Sequence, residues 1–288
     1  MKSAVVTVFL AIILVSTDFL ISNAFISLKI SKVEATGSQV AAQTLIPISS
    51  PSPTPSPSPS PSPVYTGFCQ NVPILMYHHI QPMEEASGKN QGFITVDPQT
   101  FDLQMSYLKS SGYQTISLDE LAQSLINRQK LPAKSIVISL DDGYRDIYEN
   151  AFPIIKKYNL AVNLMISTGL VENQDYLSWG KLKEMSSTGK VYVYNHTWSH
   201  ANLTSVSQEK VEYEIQTAQK QLGEYLGKNP TIFAYPYGSF NNSVINALTK
   251  NGFTSAVSTI PGTIQCDSFI LALHRTRIGN SSLASYGL

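Results

Sequence analysis

Residues 51–63 read PSPTPSPSPSPSP, and no other stretch limits the fold of this chain so sharply. Proline at every second position removes the backbone donors that a helix or a central strand needs. The segment extends as polyproline II at about 3.1 Å per residue and so reaches about 40 Å. It offers too few apolar side chains to offset the entropy of packing. The chain is thereby divided into residues 1–30, a disordered Pro/Ser-rich linker over 31–66, and a folded part over 67–288.

Ahead of the linker, Met1 and Lys2 lead into an apolar run from Ala4 to Val15. Ser16, Thr17 and Asp18 interrupt it, and a second apolar stretch runs from Phe19 to Leu28. The first run has the length of a signal-peptide core, and Ser22-Asn23-Ala24 offers a small-residue cleavage pattern. Taken as one span, Ala4 to Leu28 is long enough to cross a bilayer, with Asp18 near its middle at a cost of about 2.5–3.5 kcal/mol. Signal peptide and membrane anchor both stand as readings. Either implies an extracytoplasmic protein, secreted or held at the cell surface, touching the membrane through this segment if it is uncleaved.

The 20 basic and 20 acidic side chains balance, which argues against a nucleic-acid partner. Two cysteines cannot frame a miniprotein or form an all-cysteine zinc site. Cys69 and Cys266 could instead pair and staple the ends of the folded part, or stay as two buried thiols. A monomer is expected.

From residue 72 onward, strand-like runs alternate with helical periods. Val72–Ile80, Ser135–Leu140, Ala161–Ile166, Val191–Tyr194, Thr231–Tyr235 and Thr254–Ser258 read as strands. Between them, Asp97-Pro98 and the capping box Ser117-Leu118-Asp119-Glu120 open helices. Ile147–Tyr158 reads as a helix with Pro153 at a kink or early turn, and Ser207–Leu226 is the longest helical pattern. This alternation predicts a parallel α/β fold. The polar clusters fall just after strands, where parallel barrels build their active sites.

Of five histidines, four lie in two tight clusters, His78-His79 and His196/His200. Asp141-Asp142-Gly143 puts two carboxylates at a strand end, where neighbouring side chains point to opposite faces and can take different tasks. His196-Thr197-Trp198-Ser199-His200 spaces two imidazoles by four, one helical turn. Two histidines and one carboxylate would hold a divalent metal, Zn2+ foremost, and leave a position for water. Such an ion lowers the pKa of water from about 15.7 toward about 7. The same ligands also suit non-haem iron. No G-x-S-x-G elbow points to a serine hydrolase.

SLDDG (139–143), HTWSH (196–200) and AYPYG (234–238), in this order, resemble the first three motifs of the NodB-homology polysaccharide deacetylases. PILMYHHI (73–80) is similar to the opening strand of their poly-N-acetylglucosamine deacetylase branch. The resemblance implies a distorted (β/α) barrel that hydrolyses N-acetyl groups on an aminosugar polymer, be it peptidoglycan, chitin-like or poly-N-acetylglucosamine. It implies Asp141 as general base, Asp142, His196 and His200 as metal ligands, and the backbone N–H of Tyr237 at the oxyanion. The acid that protonates the departing amine falls to His78, with His274 of LALHRTRI as the alternative and His79 pointing away from the site.

Some positions depart from the family pattern. Leu140 replaces a usual phenylalanine, and Tyr192 and Tyr194 replace a usual Glu and Gly. Ala234 stands where an arginine normally orients the base, so base positioning must differ. The Asp-x-x-Asp-Trp motif is missing, with Asp267 a stray candidate. Tyr144, Trp198 and Tyr235 are candidates for stacking on sugar rings. An O-acetyl esterase of the xylan type, or a catalytically silent carbohydrate-binding protein, would use the same scaffold.

Overall fold

A computed structural model describes residues 65–288. The expected signal or anchor segment and nearly all of the Pro/Ser linker lie outside the described residues. Among the described residues, no helix is long and apolar enough to cross a membrane.

Seven parallel strands form the scaffold: β1 (Ile74–Tyr77), β2 (Ser135–Leu140), β3 (Val162–Ile166), β4 (Val191–Asn195), β5 (Ile232–Ala234), β6 (Ser255–Val257) and β7 (Thr276–Arg277). Their spatial order is β6-β5-β4-β3-β2-β1-β7. The sheet curls until its edges meet. Leu273 bridges Val257 of β6, while Thr276 and Arg277 pair with Leu75 and Met76 of β1. The stretch 273–277 thus joins both edges, giving a distorted (β/α) barrel.

Strand alternation sorts the side chains. Leu75, Tyr77, Ile136, Ile138, Leu140, Val162 and Leu164 face outward and share one core with the surrounding helices. Those helices include α1 (Pro98–Ser110), which follows β1, and its Phe101, Met105 and Leu108 are fully buried. Ile74, Val137 and Met165 face inward, where they meet Leu118, Leu121 and Leu125 of α2 (Leu118–Ile126). The expected capping box starts α2: Ser117 Oγ accepts from the Glu120 N–H, and Glu120 accepts from the Ser117 N–H. Asn163 holds the helix start by accepting from the Leu118 N–H at 2.8 Å and donating to the carbonyls of Ile116 and Ile138.

The longer helices that follow, α3 (Phe152–Tyr158), α4 (Trp179–Ser187), α5 (Gln208–Leu226) and α6 (Asn242–Lys250), continue the outer layer, and a short helical segment, Met83–Gly88, precedes α1. Three expectations are corrected. Val72–Ile80 is not one strand: β1 ends at Tyr77, and His79–Ile80 turns away to pair with Thr95–Val96. The Ile147–Tyr158 helix is two pieces, a wide π-type turn over Ile147–Ala151 and then α3, with Pro153 in the first turn of α3. A proline ring clashes with the carbonyl four residues back, and the wider turn relieves that clash. Residues 196–200 form no helical turn at all, as described below.

Cys69–Asn71 pairs antiparallel with Ile264–Cys266, and Cys69 is disulfide-bonded to Cys266 directly across the pair. The two segments just before β1 and β7 are therefore clasped together.

Candidate active site

Asp141 continues the inward alternation of Val137 and Ser139, so its side chain enters the barrel mouth buried. There Arg275 Nη1 donates to Asp141 Oδ1 at 2.7 Å and to Ser139 Oγ at 3.1 Å, while its Nε donates to the Ser258 carbonyl at 2.8 Å. Arg275 sits in the strap that joins the sheet edges, which explains why it can reach the axis. It supplies the guanidinium whose absence at Ala234 was expected to change base positioning. Burial works to raise the Asp141 pKa, but Arg275, with His78 and His196, outweighs it and holds the carboxyl below its usual range.

One residue on, Asp142 takes a left-handed backbone conformation, φ 71°. The chain turns there, and the carboxylate meets two imidazoles. Its Oδ1 lies 3.3 Å from His196 Nε2 and 3.2 Å from His200 Nε2. The two histidines are brought together by a loop rather than a helix. Thr197 and His200 both have positive φ, 69° and 60°, which folds the five residues back on themselves. Ser199 anchors this loop: its N–H and Oγ donate to the Glu214 carboxylate at 2.7 and 2.6 Å. Glu214 is fully buried on α5 and also receives Lys210 at 2.8 Å. Glu214 and Arg275 escaped the sequence reading. A buried acid on an otherwise apolar helix face at 211, 215, 218 and 222 was the available signal for Glu214.

His196 Nδ1 lies 2.8 Å from the Ala234 carbonyl. A carbonyl only accepts, so Nδ1 carries the proton and a neutral ring turns the lone pair of Nε2 toward Asp142. Two acceptors then face each other, and Asp142 Oδ1 is buried without a hydrogen bond. A proton or a cation must satisfy them. Without a metal, burial lowers the His196 pKa, but Asp142 and Asp141 outweigh it and raise it. Tetrahedral zinc with ligands at about 2.0–2.1 Å has ligand–ligand edges of about 3.3–3.4 Å. The 3.2 and 3.3 Å separations match those edges, and all three ligand atoms lie within 4.8 Å of one another. The donor set fits a divalent metal.

The cleft around these groups has a volume of about 280 Å³ and is lined by His78, Phe93, Tyr144, Tyr235, Tyr237 and Arg277, among others. A larger cavity, about 430 Å³, lies at the opposite end of the strands around Tyr192 and Pro230, remote from Asp142, His196 and His200. His78, at the break after β1, is half-buried in the mouth. Burial pushes its pKa down to about 4 against the pull of Asp141 and Asp142. His79 faces the other way. It is buried, contacts Asp146 through Nδ1 and stacks on Tyr144 at 3.5 Å between centroids. His274 stacks on Phe269, outside the cleft lining. Asp267 pairs with Arg128 and accepts from the Phe68 N–H, also away from the cleft.

Tyr237 has a left-handed backbone, φ 59°, directly after Pro236. Its N–H donates to no carbonyl or side chain among the described residues, and the residue is 65% exposed. Tyr144 and Tyr235 line the cleft, although Tyr235 is fully buried and donates to the Leu271 carbonyl. Trp198 does not line it. Its ring packs edge-on against Tyr213 under Lys210, which corrects the stacking role considered for it.

Fold and site together define a parallel barrel with its reactive groups gathered at the C-terminal mouth of the strands. The polysaccharide deacetylase family model matches residues 128–256. YxkH of Bacillus subtilis, whose name places it among the polysaccharide deacetylases, is 30% identical over 207 residues, covering 72% of this chain and 71% of that protein. The poly-beta-1,6-N-acetyl-D-glucosamine N-deacetylase of Staphylococcus aureus is 31% identical over 180 residues, 58% of this chain, and the match spans 62% of that enzyme's length. The Streptococcus pyogenes deacetylase PplD, solved in complex with acetate, superposes with a TM-score of 0.69 at 28% identity, covering 74% of this chain and 96% of that one. The chain belongs to the polysaccharide deacetylase family, the NodB-homology group.

Proposed function

We propose that this protein is a metal-dependent hydrolase that removes N-acetyl groups from an aminosugar polymer. The observation that carries this reading is the meeting of Asp142, His196 and His200 at ligand spacing beside the buried Asp141–Arg275 pair. When bound by the trio, a divalent cation, most simply Zn2+, polarises the acetyl carbonyl and makes water acidic enough to be deprotonated near neutrality.

The chain's own groups do the rest. Arg275 occupies Asp141 Oδ1 and keeps the carboxylate ionised, which leaves Oδ2 to take the proton from the attacking water. The water oxygen bonds to the carbonyl carbon. The resulting oxyanion is within the province of the Tyr237 N–H, a donor with no competing partner. The C–N bond then breaks, giving acetate and a free amine once the nitrogen gains a proton. His78 delivers it. At rest His78 is neutral, since burial holds its pKa near 4. The negative charge that develops on the oxyanion raises its proton affinity as the amine must leave, so it relays the proton that Asp141 removed.

An extracytoplasmic setting, secreted or anchored, is part of the proposal. It is supported by the apolar N-terminal segment and the Cys69–Cys266 disulfide. The test is acetate release from chitooligosaccharide, poly-N-acetylglucosamine, peptidoglycan and acetylated xylan, with metal content assayed alongside. Release from the aminosugar polymers by the metal-loaded protein is expected. Release from acetylated xylan alone would overturn the N-deacetylase reading in favour of an O-acetyl esterase, and polymer binding without release would favour a silent binding protein.

A further inference from the structure

One charged group in the mouth is not used by the reaction above. Arg277 ends β7, two residues beyond Arg275 and on the same side of the chain, and lines the cleft with His78, Phe93 and Tyr237. The sequence has four arginines. Arg128 pairs with Asp267, Arg145 with Glu149 and Arg275 with Asp141. Arg277 pairs with no carboxylate among the described residues, although it is exposed and free to reach one. Its backbone is fixed, because Arg277 lies opposite Met76 in the β7–β1 pair.

The charge balance around it is one-sided. Asp141 is matched by Arg275, and Asp142 by two imidazoles or the cation they would share. The positive charge of Arg277 is left over and is felt at His78. A planar guanidinium presents paired N–H donors that match the two oxygens of a carboxylate or phosphate. Phe93 and Tyr237, 78% and 65% exposed, also border the cleft and offer apolar faces that suit sugar rings.

Building on the deacetylase reading, we propose that Arg277 forms an anion subsite that binds a carboxylate or phosphate carried by the polymer near the reacting N-acetyl group. The preferred substrate is then an anionic aminosugar polymer rather than a neutral one. The bond-making steps are unchanged, and the subsite selects which polymer is presented to them.

The experiment compares kcat/KM for acetate release on three matched oligosaccharides: neutral N-acetylglucosamine chains, chains bearing lactyl carboxylates, and chains bearing phosphate. The full chain and its Arg277→Ala and Arg277→Lys variants are assayed at low and high salt. The ratio of anionic to neutral kcat/KM should fall about tenfold in Arg277→Ala and partly recover in Arg277→Lys, which keeps the charge and loses the fork. Added salt should erode the ratio in the unsubstituted protein. The carboxylate and phosphate arms decide which anion is preferred. A ratio within twofold of the parent in Arg277→Ala overturns the subsite. If no oligosaccharide yields acetate, the deacetylase reading fails, and calorimetric binding of the same oligosaccharides decides the subsite separately. A preference for anionic chains that disappears in Arg277→Ala upholds it, and equal binding of all three refutes it.

Discussion

The two ends of the barrel are built by different means. At the N-terminal end, α2 inserts Leu118, Leu121 and Leu125 behind a complete capping box, Asn163 uses its amide in both directions, and a disulfide clasps the Cys69–Asn71 and Ile264–Cys266 segments. At the C-terminal mouth, regular geometry breaks down. Asp142, Thr197, His200 and Tyr237 are four of the nine non-glycine residues with positive φ among the described residues, and all four border or build the site. Such residues cost about 1 kcal/mol or more each. The mouth also buries Asp142 Oδ1 without a hydrogen bond. Order made at one end thus supports strain held at the other, and the two should separate under mutation. Changes at the mouth should remove chemistry, and changes at the base should remove stability.

The largest effect is expected from His200→Ala. Its side chain is only partly buried, so folding should survive, while bound metal falls below stoichiometry and acetate release drops by about a thousandfold or more. Full metal content in this variant would break the proposed ligand set. Asp141→Asn sharpens the contrast within the mouth. Turnover should fall about 10²- to 10⁴-fold while metal stays bound. Unchanged turnover would remove Asp141 as the base.

Arg275→Met tests the strap residue that reaches from the joined sheet edges into the mouth. It leaves Asp141 buried and unpaired, at a cost of about 3–5 kcal/mol. The Asp141 pKa, now held low, should rise, so the acidic limb of kcat/KM should move to higher pH. The stability linkage has the same origin. A depressed native pKa stabilises the fold above the unfolded value of about 3.9, and that contribution is lost as pH falls through the native pKa. The variant should lack this acid-dependent component. A limb that stays in place would mean that something other than Arg275 controls the base.

Much of this arrangement was legible in the sequence, and the reasons for the remainder are physical. The strands are apolar runs of the right length, and Asp141 and Asp142 stand at the end of one, so their place at the mouth follows from alternation and parallel topology. The helix starts at Asp97, Ser117, Ser178 and Ser207 carry local capping chemistry, which any single window of sequence contains. What local sequence does not contain is long-range partnership. Arg275 meets Asp141 across 134 residues, in a stretch too short and polar to read as a strand. The spacing of His196 and His200 suggested a helical turn, whereas left-handed Thr197 and His200 close the loop instead. That geometry depends on Glu214, fifteen residues after Ser199 and on another element. Which of His78 and His274 lines the cleft needed a third dimension, since both stand beside barrel strands and only His78 does so.

Glu214 offers a finer test of how the mouth's strain is held. Its carboxylate accepts from the Ser199 N–H and Oγ and from Lys210, all from within a buried setting. Glu214→Gln keeps the shape and one acceptor but loses the charge. If the loop is propped by this carboxylate, metal affinity should fall about 10- to 100-fold, as expected for a group supporting the ligands from behind. The melting temperature of the metal-free protein should change far less than in Arg275→Met. Equal losses in both would mean that Glu214 serves α5 rather than the loop.

The smallest effect on turnover should come from the base. Cys69→Ser with Cys266→Ser opens a ribbon that closes a loop of 197 residues and touches no group in the cleft. Losing a long-loop disulfide costs about 2–5 kcal/mol, mainly by freeing the unfolded chain. For a domain of this size, each 1 kcal/mol corresponds to about 2–4 °C, so melting should drop by roughly 4–20 °C. At a temperature where the variant is folded, kcat/KM should stay within about twofold of the parent. That outcome, set against His200→Ala, is the double dissociation the comparison demands. A large loss of turnover in folded variant would mean that the clasp reaches the mouth through the 273–277 strap. Arg275 would be the residue to move, because it lies nine residues beyond Cys266 on the same segment and is anchored at its far end by Ser139, Asp141 and the Ser258 carbonyl.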